Sequence, residues 1–107
     1  DFAKINTYHV SMLPYFLDKL AAVSEGDSTL LDKTMVMYGS AMADSNLHNH
    51  IRCPLFMVGG ANGILEGENH IRAAQGTPMA NVFLSLLHKM GVNDLESFGN
   101  STGTFAI

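Results

Sequence analysis

Apolar side chains recur with a helical period along residues 4–23. Ile5, Tyr8, Met12, Leu13, Phe16, Leu17 and Leu20 follow the i, i+3, i+4, i+7 pattern, which predicts an amphipathic helix. Pro14 lies inside it. A proline removes one backbone donor and crowds the carbonyl of Val10, so a kink or a broken first half is expected. Glu25-Gly26-Asp27 should end this helix, with Gly26 as a left-handed cap, and residues 28–33 read as a short turn anchored by Leu30 and Leu31. Two short apolar runs follow, residues 34–39 and 54–58. Neither alternates with period two, which predicts buried strands in a sheet covered on both faces. From Gly59 to Gly76 the glycines are dense, and the segment reads as a loop leading into an irregular hairpin around residues 66–69. A second helix is predicted over residues 78–90. Thr77 is its N-cap, Pro78 takes the first position, Met79, Val82, Phe83, Leu86, Leu87 and Met90 share one face, and Gly91 is the stop. Residues 92–107 read as an irregular strap.

The order helix, strand, loop, strand, hairpin, helix, tail predicts an α/β protein. Two short strands do not cover two helices with broad apolar faces. The missing strands are therefore expected in residues absent from this chain, or in another copy of it. The same exposed faces predict self-association or a larger assembly.

Composition narrows the function classes. The 107 residues are 47% hydrophobic, enough for a packed core and far from a disordered profile. A net charge of −4 with only six Lys and Arg argues against nucleic-acid binding and against a polybasic membrane-surface module. No apolar run approaches the roughly 18–20 residues that span a bilayer, and no signal peptide is visible. The chain begins at Asp1, which leads us to expect a cut or processed N-terminus. Cys53 is the single cysteine, so no intrachain disulfide is available, and it reads first as a small buried hydrophobe. The seven methionines read as core filling.

The candidate chemistry lies between the two apolar runs, where a polar loop carries Asp44, His48 and His50. Carboxylate and neutral imidazole suit a divalent metal such as zinc, manganese or iron. His48 and His50 form an i, i+2 pair, and in extended backbone both rings point the same way. Asp44 would be a third ligand or would orient a ring. The competing reading is an ordinary hydrogen-bonded polar loop. His70 with Arg72 is a candidate anion-binding pair. His9 reads as a packing histidine, and His88 as a favourable charge near a helix C-terminus. Ser40 follows the first strand, but no Gly-x-Ser-x-Gly elbow accompanies it. GGANG does not have the spacing of a dinucleotide fingerprint. The letters HNH, with so few basic residues around them, do not make a nuclease.

The runs KINTYHVSMLPYFLDKLAAV, LLDKTMVMYGSAMADSNLHNH, PLFMVGG, GTPMANVFLSLLHKMGV and ESFGNSTG occur in one order that resembles the C-terminal end of the bacterial HXXSHH-motif family, a domain family of unknown function. The resemblance spans nearly the whole chain. The motif His-x-x-Ser-His-His itself is absent and would lie upstream, and Pro14 departs from the family's helix. On this resemblance residues 1–107 are a single C-terminal segment that lacks the N-terminal part of its domain. The family looks related to the alkaline-phosphatase-like superfamily, which implies a three-layer α/β/α fold. It also implies a metal-dependent phosphate or sulfate ester hydrolase whose nucleophile lies on an absent strand. Asp44, His48 and His50 would then hold or orient the metal, while His70 or Arg72 would meet the anionic substrate. The alternative is a non-enzymatic binding or assembly module of the cell envelope. Family members look exported, which implies a periplasmic or envelope location.

Overall fold

The computed structural model describes residues 1–107, and its contacts divide the chain into two units. The first holds residues 1–36 and 57–65; the second holds 37–56 and 66–107. The elements are three helices and two two-stranded antiparallel ribbons, a small mixed α/β arrangement. No helix is long and apolar enough to cross a membrane.

Helix α1 (Phe2–Ala21) runs through Pro14 without a break, so of the expected kink or broken first half the break is absent. The carbonyl that Pro14 deprives of a partner belongs to Val10, which is 44% exposed. The lost hydrogen bond thus falls at an exposed residue and does not interrupt the helix. Gly26 does not cap α1. With φ of +66° it opens the two-residue turn Gly26-Asp27 of a hairpin between β1 (Ser24–Glu25) and β2 (Ser28–Thr29). A glycine at the first position of a two-residue hairpin loop is what the turn's backbone demands.

The stretch expected as a turn is helix α2 (Leu30–Lys33), started by a capping box. Asp32 Oδ2 accepts from the Thr29 amide and hydroxyl, both at 2.8 Å, and Thr29 Oγ1 accepts from the Asp32 amide at 3.3 Å. The reciprocal bonds satisfy amides that a four-residue helix cannot satisfy itself. α2 packs against α1 and against a 3₁₀ turn at Ala61–Gly63. Gly59 and Gly60 allow this approach. The Gly60 amide donates to the Leu31 carbonyl at 3.2 Å, and the Ala61 amide donates to that of Thr34 at 3.1 Å. A Cβ on Gly59 would collide with the Thr34 carbonyl oxygen, and one on Gly60 with that of Asp32. The glycine pair is thus explained by close backbone contact.

Strands β3 (Val36–Gly39) and β4 (Leu55–Val58) pair as the second ribbon. The Ser40 amide donates to the Pro54 carbonyl at 3.1 Å, and the Tyr38 and Phe56 rings lie 5.4 Å apart. The strands are not buried on two faces as expected, because β3 alternates half-buried and exposed residues and β4, with Phe56 exposed and the rest half-buried, has no buried residue either. Each has one neighbour and no second layer. The hairpin expected around residues 66–69 is absent. Glu68 turns at φ +65° and Asn69 donates to the Glu66 carbonyl, but no strands flank the turn.

Helix α3 (Ala80–Lys89) starts two residues later than its apolar pattern predicts, without a side-chain cap. It ends as expected. Gly91, at φ +93°, donates to the His88 carbonyl while the Val92 amide reaches that of Leu87, which is a Schellman closure. α3 carries every buried residue of the chain, namely Ala80, Asn81, Leu84, Ser85 and Leu86. The strap covers them. Asn81 Oδ1 accepts from the Thr102 amide at 2.9 Å, Ser85 Oγ accepts from the Phe105 amide at 2.7 Å, and a His88 ring nitrogen meets the Leu95 carbonyl at 2.7 Å. Phe83 and Phe98 stack edge to face. No buried side-chain polar atom lacks a partner.

The capping box sets one pH response. The hydrogen bonds from the Thr29 amide, then from its hydroxyl, favour the charged form of Asp32 and lower its pKa. A lowered folded-state pKa stabilises above the unfolded value of about 3.9, and that contribution disappears as pH falls through the folded value. The Asp32 carboxyl should therefore titrate below an ordinary aspartate, and Thr29→Ala should move it only part of the way back. Carboxyl chemical shifts followed across acid pH check both, and an unshifted Asp32 would remove the box.

Candidate functional site

The loop between β3 and β4 is built by its own polar side chains. Asp44 Oδ1 accepts from the amides of Asn46 at 2.9 Å and Leu47 at 3.1 Å. This is the Asx-type turn that aspartate favours at loop corners. The Ala43 amide donates to the Asn49 carbonyl, and the Asn49 amide donates to that of Asp44, which closes the loop on itself. Ser40 is engaged in the same way: its hydroxyl donates to the Met42 carbonyl at 2.7 Å and accepts from the Met42 amide at 3.1 Å.

His50 is tied at one nitrogen. Its Nδ1 lies 2.6 Å from the Ala41 carbonyl oxygen, and a carbonyl can only accept, so Nδ1 carries the proton. In the neutral ring this leaves Nε2 with a free lone pair. Such second-nitrogen anchoring is the usual support of a metal-binding histidine. The Cys53 thiol donates to the same carbonyl at 3.2 Å, and the residue is half-buried rather than fully buried. The two lone pairs of Ala41 thus gather a thiol and an imidazole, a meeting that no sequence spacing rule announces.

His48 departs from the premise that paired it with His50. Residues 45–48 form a turn, and His48 sits at φ +55°. The alternation that would aim residues 48 and 50 to one side requires extended backbone, which this segment lacks. Arg52, at φ +59°, is a second non-glycine residue of this loop in the left-handed region. Each such residue costs about 1 kcal/mol or more, which the hydrogen bonds around it must offset.

Asp44, His48 and His50 are all exposed, and no group of three His, Cys, Asp or Glu side chains is arranged to hold a metal ion. His70 and Arg72 are exposed on the irregular segment before α3. His9 is exposed too, with its ring 6.1 Å from that of Tyr8, so it is not the packing histidine expected. His88 gains a role beyond helix charge through its bond to the strap.

The loop's dependence on one carboxylate is testable. Asp44→Ala should speed exchange of the Asn46 and Leu47 amides by about tenfold, whereas Asp44→Asn, which keeps an accepting oxygen, should change them little. Native-state hydrogen exchange reads the difference. No protein-family model, curated protein or solved structure matches this chain.

Proposed function

We propose that this chain is a non-enzymatic binding or assembly module whose working surface is the outer face of α1. The observation that carries this reading is the state of that helix, which has 20 residues and none buried. Phe2, Ile5, Tyr8, Met12, Tyr15 and Phe16 are each between 47% and 63% exposed. Scattered exposed apolar residues are ordinary, but a contiguous row of six along one helix marks an interaction surface.

On this reading the chain associates in solution. Sedimentation at micromolar concentration should give a mass above the 11.6 kDa of one chain. A compact monomer throughout would count against it. A periplasmic or envelope setting, implied by the HXXSHH resemblance, fits such a module.

His50 favours a second reading. Here the chain is the C-terminal portion of a three-layer α/β/α, alkaline-phosphatase-like domain, and the complete domain hydrolyses phosphate or sulfate esters with a divalent metal. The support is the anchored Nδ1, which leaves Nε2 available as a ligand. Asp44 and His48 would hold or orient the ion with it, and His70 or Arg72 would attract the anionic group. The nucleophile would come from elsewhere in the domain. Elemental mass spectrometry tests this reading: about one zinc, manganese or iron per chain, lost in His48→Ala/His50→Ala, is the expected result, and a metal-free chain after reconstitution opposes it.

A further inference from the structure

The row of exposed side chains on α1 is self-complementary when a second α1 is laid against it in the opposite direction. Ile5, Tyr8, Met12, Tyr15 and Lys19 are spaced by three and four residues in alternation, the seam of a helix pair. Asp1 continues the seam by one more step at the N-terminal end. Leu13, Leu17 and Leu20 are half-buried on a neighbouring face, so the seam is not the side that packs within the chain.

We propose that α1 pairs antiparallel with α1 of a second copy of this chain, about a two-fold axis near the middle of the helix. The proposal rests on the assembly reading above and names its partner. In the antiparallel register that centres the seam, Tyr8 meets Met12 of the second copy and Ile5 meets Tyr15. Asp1 meets Lys19, opposite in charge. On one flank Phe2 faces Phe16; on the other Lys4 faces Asp18. Each contact occurs twice, because a two-fold interface uses the same patch on both sides.

A parallel pair of the same helices would set Lys19 against Lys19 in the seam and leave Lys4 without an acid opposite. Charge thus selects the antiparallel arrangement. Lys4 lies 3.4 Å from Asp1 within the chain, but both are about nine-tenths exposed, and an ion pair so placed exchanges partners at little cost. Lys19 sits 5.3 Å above the Tyr15 ring, already at the seam's edge.

The area is adequate. Four aromatic rings of about 200 Å² each, roughly half exposed, with Ile5 and Met12 beside them, offer about 600 Å² per copy. The pair would bury about 1,200 Å², the lower end of the range for specific complexes. A reversible dimer is expected, not an obligate one.

The test is sedimentation equilibrium on the full chain and three variants, with helical circular dichroism to verify folding. Met12→Glu puts a charge into the two central layers and should weaken dimerisation by 100-fold or more. Lys4→Asp sets acid against acid twice and should weaken it by about tenfold. Lys4→Asp/Asp18→Lys should restore it. All three positions are exposed, so the monomer should stay folded. A chain that associates but ignores Met12→Glu overturns this pairing and leaves the assembly reading standing. Loss in both charge variants without rescue overturns the antiparallel register. A monomer at all concentrations overturns both.

Discussion

Dry interior is scarce in this chain, and α3 holds all of it. Two of its five buried residues, Asn81 and Ser85, are polar, which would be costly without partners. The partners are the backbone amides of Thr102 and Phe105. The strap has no sheet or helix to satisfy those amides, and the helix has no second layer to cover its buried face. Each supplies what the other lacks. Stranding one such buried group costs about 1–3 kcal/mol, a large share of what a small unit has.

Helix existence was legible in the sequence because it follows from periodicity. The apolar pattern located α1 and α3 to within a few residues, and Gly91 marked its stop through a backbone angle that only glycine adopts freely. The strands were legible as apolar runs, but their burial was not. A run of Met, Val and Tyr reports what a segment tolerates, and whether a second layer exists depends on other parts of the chain. Pro14 shows the same limit. Its missing donor was legible in the sequence, but not that the helix would continue through it. The capping box was missed although Thr29 and Asp32 stood at the right spacing, because the flanking residues 24–29 had no apolar rhythm to identify a hairpin.

The polar loop was located, but not its internal arrangement. Asp44 has the chemistry of a ligand and of a turn former, and composition does not choose between them. In the structure, one of its oxygens holds two amides. The His48–His50 spacing implied a shared direction only on an extended chain, and the turn at residues 45–48 withdraws that condition. The bond from His50 to Ala41 had no sequence signal, since it joins positions nine residues apart through a backbone oxygen.

The strap over α3 has a consequence for motion. An irregular terminal segment ordinarily exchanges its amide protons almost as fast as a free peptide. Two amides in this one are held by side chains rooted in a helix, so they cannot be released without uncovering the buried face beneath. Thr102 and Phe105 are therefore tied to residues 81 and 85, about twenty positions away in the chain. Loss of order at this end would strand two buried polar side chains of α3.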